Sequence, residues 1–152
     1  MIEHGLKRHF EDFQAGEAIE LGERTITEKE IVSFARQFDP QSFHIDPLAA
    51  RESIFGGLVA SGWHTAGILM RLWVDAILAH VVSMGSPGVD SLRWPEPVRP
   101  GDRLSGRATV LEVRASQSRP TMGIVRWQGE LHNQDGRLVF SVTGTNFIGR
   151  RI

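Results

Sequence analysis

The fold is decided by one apolar stretch, IFGGLVASGWHTAGILMRLWVDAILAHVVSMG, residues 54–85. Between Gly62 and Val82, apolar side chains fall on nearly every side of a helix, which predicts a long helix buried at the centre of the protein. A membrane span is the alternative, because about 20 apolar residues suffice to cross a bilayer. Arg71 and Asp75 argue against a span, since charges inside a bilayer are costly. Four positions apart, they predict a structural ion pair or a dimer contact on one side of the helix.

The segment before this helix predicts one strand and two short helices. Residues 18–26 predict a strand, and residues 27–30 (TEKE) form a capping box that starts the first short helix. That helix must end near Asp39, because Pro40 disfavours a helical residue before it. Residues 46–53 (DPLAARES) predict an N-cap and a second short helix.

The segment after the long helix is strand-like to the end of the sequence. Apolar and polar residues alternate over 125–132, and the apolar phase shifts between Val110 and Leu111, which predicts a β-bulge. Residues 133–136 (NQDG) predict a hairpin turn. Four or so antiparallel strands therefore follow one long apolar helix. The predicted fold class is α+β, with an antiparallel sheet wrapped around the central helix and a second copy of the chain covering its remaining face.

The composition is that of an ordinary globular domain. The chain has 152 residues, 41% hydrophobic and 23% charged, which predicts one domain with a substantial core. A net charge of −1 provides no basic field for nucleic acid. The absence of Cys excludes disulfides, thiolate zinc sites and a cysteine nucleophile. The charged segment MIEHGLKRHFEDF lacks the apolar core of a secretory signal, so we expect a cytoplasmic protein.

A second stretch, FDPQSFHIDP (residues 38–47), combines an acid and a base in what the sequence predicts to be a loop. Asp39 and His44 lie five positions apart, and Phe38 and Phe43 flank them. Taken alone, Asp39 is most simply an Asx-turn residue before a proline, and His44 a loop histidine. Taken together, a neutral imidazole and a carboxylate can share one water molecule and deprotonate it, while the aromatic rings keep bulk solvent out.

Three segments, in this order, resemble the MaoC-like dehydratase family, which includes (R)-specific enoyl-CoA hydratases and has the hotdog fold. They are residues 38–47, residues 54–70 and residues 97–110, which contain a Pro-Gly-Asp turn and the strand after it. The positions that match the family's hydratase motif are Asp39, His44 and Asp46. The positions that depart from it are Phe38, Gln41 and Ser42, where Gly, Asn and Pro are usual. The resemblance begins near residue 10 and implies one hotdog domain over residues 1–152, with residues 1–10 as an N-terminal extension.

The resemblance implies a hydratase or dehydratase, a carbon–oxygen lyase that acts on the 2,3 double bond of an enoyl-CoA. It implies that His44 is the acid and base and that Asp39 positions the water. The start of the long helix supplies unpaired N–H groups and a positive dipole end, so we expect the N–H of Gly62 to hold the enolate oxygen. Asp46 is interpreted as a helix cap rather than as a catalytic group. The side chains predicted to contact substrate are Phe38, Phe43, Ser61, Trp63 and Trp94.

The expected partners follow from the predicted fold and the family resemblance. We expect no cofactor beyond the coenzyme A of the substrate, no metal, no nucleic acid and no membrane, and a homodimer or a dimer of dimers. His64, one turn inside the long helix, is interpreted as a core histidine with a buried partner.

Two other functions compete. A hotdog acyl-CoA thioesterase typically has a carboxylate near the start of the central helix, but residues 60–67 (ASGWHTAG) contain none. A non-catalytic acyl-CoA or lipid-binding module is the third reading, and the departures at Phe38, Gln41 and Ser42 leave it open. The presence of both Asp39 and His44 argues against it, because a pure binding module needs neither.

Overall fold

The computed structural model describes residues 7–151, so the first six residues of the predicted N-terminal extension lie outside the described part. Five antiparallel strands form one sheet in the order β1-β3-β4-β5-β2. The strands β1 to β5 are Ala18–Thr25, Gly88–Arg93, Arg103–Ala115, Met122–His132 and Leu138–Gly149. The helices α1 to α4 are Glu28–Phe38, Ser42–Ile45, Pro47–Arg51 and Gly62–Ala76, with 3-10 turns at Phe10–Asp12 and Leu78–His80. The predicted α+β architecture, a sheet wrapped around a central helix, is confirmed.

The predicted helix starts and turns are formed by the expected side chains. Thr27 Oγ1 accepts a hydrogen bond from the Glu30 N–H at 3.2 Å, which caps α1. Asp46 Oδ1 accepts from the N–H groups of Leu48 and Ala49, which caps α3 and confirms the capping role of Asp46. The bulge predicted after Val110 is also confirmed, because the β3–β4 register shifts between Val110 and Glu112.

Helix α4 ends at Ala76, six residues earlier than the sequence predicts. The next residues form a 3-10 turn, and Val81 then becomes extended and pairs with Arg8. His80 helps to end the helix. Its backbone N–H donates to the Ile77 carbonyl oxygen, and its ring Nε2 lies 3.0 Å from the Asp75 carbonyl oxygen. β-Branched valines favour extended backbone, and the N-terminal segment supplies their hydrogen-bond partner. The sequence therefore stays apolar after Ala76 because residues that follow the helix pack into the core as well.

One side of α4 packs on the concave face of the sheet. Its buried side chains on that side include Ile68, Leu69, Leu72 and Trp73. Gly129 of β4 permits this close approach, because a Cβ at that position would lie 2.8 Å from the Trp73 ring and 2.9 Å from Leu69. The alternation predicted for β4 is confirmed, with its buried face against the helix.

The opposite side of α4 is bare. Trp63 and Met70 are 59% and 50% exposed. Arg71 and Asp75 form the predicted ion pair there, with Nε and Oδ2 2.9 Å apart, and both are well exposed. The chain therefore buries only part of the surface of its most apolar helix. Among residues 7–151, no helix has the length and apolarity needed to span a bilayer.

Candidate active site

The decapeptide at residues 38–47 brings its acid and its base into contact. Asp39 is the C-cap of α1, and His44 lies on α2, a single helical turn. The expectation that this segment is without helix is therefore wrong at residues 42–45, where the Asp46 N–H bonds back to the Ser42 carbonyl. The His44 Nε2 atom lies 3.3 Å from Asp39 Oδ2, and His44 is only 5% exposed. The helical turn is what aims the imidazole at the end of α1.

The backbone fixes the proton on His44. Its Nδ1 atom lies 2.6 Å from the carbonyl oxygen of Val59. Because a carbonyl oxygen only accepts, Nδ1 must carry the hydrogen, and in a neutral imidazole Nε2 is then the free basic nitrogen. The segment that supplies this carbonyl is itself held by backbone hydrogen bonds from Val59 to Phe43 and from Ala60 to Val98.

Asp39 is held in its ionised form. Its Oδ1 accepts a hydrogen bond from Gln41 Nε2 at 2.7 Å. Burial raises the pKa of Asp39, but the Ser61 hydroxyl, the Gln41 amide and His44 together outweigh it, and the net pKa lies below its usual value. Ser61 Oγ is fully buried and makes no hydrogen bond of good geometry among residues 7–151. The Ser61 hydroxyl therefore lowers the pKa of Asp39 as a nearby dipole. Within the described chain, this hydroxyl remains available for a hydrogen bond beside the dyad.

The dyad opens into a cavity of about 470 Å³. Phe43 and Phe55 pack together beside His44 with ring centroids 5.2 Å apart. Trp63 and Trp94 meet edge to face at 5.4 Å and are both substantially exposed, which places them at the mouth. The remaining apolar lining residues are Val59, Ala60, Pro95, Pro97 and Val98. The polar lining residues are Asp39, Gln41, His44, Thr65 and Glu96.

Gly62 begins α4 at the edge of this cavity. The Trp94 indole N–H donates to the Gly62 carbonyl oxygen at 2.8 Å. A Cβ on Gly62 would lie 2.7 Å from the indole ring, so the position of Trp94 favours glycine here. The lack of a side chain also leaves the backbone of Gly62 open to a ligand. The Gly62 N–H is the first of the helix and has no acceptor within the described chain.

Most of the predicted site residues line the cavity, but two do not. Phe38 is 70% exposed and packs on Phe34 of α1, so the prediction that it contacts substrate is not supported within this chain. Its position at the last turn of α1 turns it away from Asp39, which the sequence spacing alone does not reveal. Ser61 is buried next to Asp39 and does not line the cavity surface.

His64 also lies away from the cavity. It stacks on Phe34 at 4.7 Å, and its Nδ1 is buried with no hydrogen-bond partner among the described residues. The expectation of a buried partner is therefore wrong. Burial lowers the pKa of His64, and Arg24 adds to this effect while Glu30 opposes it.

Sequence reasoning missed several lining residues, three of which show where its signals end. Phe55, Thr65 and Glu96 come from a loop, the first turn of α4 and the Pro-rich turn before β3. Only Thr65 carried a usable signal, because it lies one helical turn after Ser61 on the side that faces the dyad. The other two reach the cavity through the tertiary path of irregular segments.

A second groove lacks the chemistry of this one. A larger groove of about 560 Å³ lies on the sheet beside Arg114 and Arg126, but it contains no histidine and only one carboxylate, Glu112. Across residues 7–151, no group of three or more His, Asp or Glu side chains is placed to hold a metal.

Comparisons with known proteins agree with this geometry. The sequence model described as MaoC like domain matches residues 12–126. Protein MaoC of Klebsiella aerogenes is 37% identical over 129 residues, which is 83% of this chain and 38% of the length of that protein. Mesaconyl-CoA hydratase of Haloarcula hispanica is 38% identical over 65 residues, 42% of this chain and 18% of that protein. The crystal structure of a MaoC-like dehydratase from Rhodospirillum rubrum, 41% identical, superposes with a TM-score of 0.85 over 95% of this chain and 99% of the other.

Proposed function

Because the chain belongs to the MaoC-like domain family, we propose that it is a hydratase that adds water reversibly across the 2,3 double bond of an enoyl-CoA thioester. The observation that carries the proposal is the contact between the buried His44 and the partly exposed Asp39, with an unprotonated Nε2 facing a carboxylate inside an apolar cavity. The names of two relatives, a dehydratase and a mesaconyl-CoA hydratase, support the reaction class.

The proposed reaction uses the dyad to activate one water molecule. Nε2 of His44 accepts a proton from the water, and Asp39 accepts the second hydrogen of that water as a hydrogen bond. The water oxygen forms a bond to C3, and the electron pair of the double bond moves through C2 onto the thioester oxygen. The resulting enolate collapses as C2 takes the proton from His44, which gives the 3-hydroxyacyl-CoA. Dehydration is the reverse sequence.

Charge that develops on the thioester oxygen needs donors that are already in place. The Gly62 N–H is free and lies at the positive end of a helix of 15 residues. The Trp94 bond to the Gly62 carbonyl anchors the adjoining peptide unit, between Gly62 and Trp63. Phe43 and Phe55 surround the imidazole and keep bulk water from competing with the bound one.

The test is the loss of the ultraviolet absorbance of the conjugated enoyl thioester when purified protein is mixed with crotonyl-CoA. The product, 3-hydroxybutyryl-CoA, is identified by chromatography. We expect turnover, and we expect Asp39→Asn to lower it by about 100-fold or more while the protein stays folded. Binding of acyl-CoA without turnover would contradict the proposal and favour a binding module.

We also propose that the active protein is a homodimer. Trp63 and Met70 leave exposed apolar surface on the bare side of α4, which a second copy would bury. Light scattering on the purified protein tests this proposal. A particle of 16.9 kDa, the mass of one chain, would contradict it.

A further inference from the structure

We infer that the acyl group accepted by this cavity is uncharged, so that the substrate is an enoyl-CoA with no second carboxylate. This inference rests on the proposed function, because it assumes that the cavity beside Asp39 and His44 receives the acyl group. It concerns the part of the cavity that this chain lines.

The ionisable side chains that line the cavity are Asp39, His44 and Glu96. Two of them are carboxylates, and within the described chain no Lys or Arg lines the cavity. Asp39 is kept ionised by its neighbours. Glu96 has a cation only at long range, since Arg137 Nη1 lies 3.9 Å away and both side chains are well exposed.

The arginine that follows the cavity wall at Val98 is already engaged. Arg99 Nη2 donates to the carbonyl oxygen of Phe55 at 2.7 Å, and Nη1 lies 3.5 Å from where a Cβ on Gly57 would be. Its guanidinium therefore braces the Phe55 loop from outside. Arg99 is not among the residues that line the cavity.

A substrate carboxylate in this cavity would meet two lining carboxylates and, within the described chain, no lining cation. Burying an unpaired charge is strongly unfavourable, and each nearby carboxylate adds repulsion. A neutral alkyl or alkenyl chain meets only apolar walls and aromatic faces. The charge pattern therefore rejects acidic acyl groups. The Haloarcula relative is named for mesaconyl-CoA, whose acyl group carries a second carboxylate, but the match covers only 42% of this chain.

The experiment compares a neutral and an acidic acyl group of similar length, in binding and in turnover. Dissociation constants are measured by calorimetry for hexanoyl-CoA and glutaryl-CoA, and hydration rates for trans-2-hexenoyl-CoA and glutaconyl-CoA. We expect the neutral member of each pair to be favoured by about 100-fold or more. Equal affinities, with hydration intact, would overturn the inference and leave the proposed function standing. Tighter binding of hexanoyl-CoA with no hydration of either enoyl-CoA would support the inference and contradict the proposed function.

A pair of charge-reversal variants identifies the residue responsible. We expect Glu96→Lys to raise kcat/KM for glutaconyl-CoA relative to trans-2-hexenoyl-CoA by about tenfold or more. Glu112→Lys makes the same charge change on β3, outside this cavity, and should leave the ratio near that of the unmodified protein. An equal change in both variants would mean that net charge attracts the substrate, and that Glu96 does not select the acyl group.

Discussion

Nδ1 of His44 lies 2.6 Å from the carbonyl oxygen of Val59, and this contact decides which nitrogen is the base. It leaves Nε2 free at 3.3 Å from Asp39 Oδ2. A water molecule that lies beside the pair can donate one hydrogen to each of these acceptors. The dyad is thus set before substrate arrives, by backbone that does not titrate.

The first prediction concerns the base. His44→Gln keeps a side chain that can donate to Val59 but has no basic nitrogen, so we expect hydration to fall by about 1000-fold. Stopped-flow or steady-state loss of enoyl absorbance measures the rate, and circular dichroism checks folding. His132→Gln, on the sheet, should keep full activity because His132 lies outside the cavity. Comparable activity in the two variants would rule out His44 as the base.

The second prediction concerns the donor that holds Asp39. Gln41→Leu removes the 2.7 Å hydrogen bond, so the pKa of Asp39 should rise toward its usual value near 3.8. Because a lowered carboxyl pKa keeps the ionised form at lower pH, the acid limb of kcat/KM should move to higher pH in the variant. The pH profile from about 2 to 5 measures this shift. Ser42→Ala, one residue away, makes no side-chain hydrogen bond to Asp39 and should leave the limb where it is. An unshifted limb in Gln41→Leu would show that Gln41 does not hold the charge.

The third prediction concerns stability and pH at His64. Its folded pKa is lowered by burial, so between that value and 6.5 the unfolded chain binds more protons than the folded one. The free energy of unfolding should therefore fall as the pH falls below about 6.5 and stop falling below the folded pKa. Urea titrations at a series of pH values measure the slope.

The variant His64→Phe should remove part of this slope, since a phenyl ring can stack on Phe34 without titrating. His80→Gln is the comparison, because His80 is exposed. An identical slope in His64→Phe and the unmodified protein would assign the effect to other groups.

The fourth prediction concerns the start of α4. Gly62→Ala places a Cβ 2.7 Å from the Trp94 indole, and we expect a loss of about 1–3 kcal/mol in the free energy of unfolding together with lost activity. Gly67→Ala is the matched control, because its Cβ meets nothing within 4 Å on the exposed side of the same helix. It should be neutral or stabilise by up to about 1 kcal/mol. Urea denaturation compares them, and a harmless Gly62→Ala would mean that the Trp94 contact is easily moved.

Much of the fold was predictable because its signals are local. The caps at Thr27 and Asp46 depend on residues two or three positions away, and so does the bulge after Val110. The contact between Asp39 and His44 was predictable because only five positions separate them, although the helical turn that carries His44 was not expected.

The features that were missed depend on distant contacts. Helix α4 ends at Ala76 because Val81 pairs with Arg8, some seventy residues earlier in the chain. Glu96 and Phe55 enter the cavity from irregular segments whose paths are set by packing. Phe38 is exposed because of its phase in the last turn of α1, where each residue turns the side-chain direction by about 100°.

The contacts that orient His44 have a consequence for how the protein can diverge. The N–H groups of Val59 and Ala60 donate to the carbonyl oxygens of Phe43 and Val98, so both bonds use main-chain atoms only. The acceptor for the imidazole is also a main-chain atom, the carbonyl oxygen of Val59. Every residue type except proline supplies the same main-chain groups. Wall side chains can therefore be exchanged during evolution or redesign while the base keeps its tautomer, so new acyl preferences are accessible without rebuilding the chemistry.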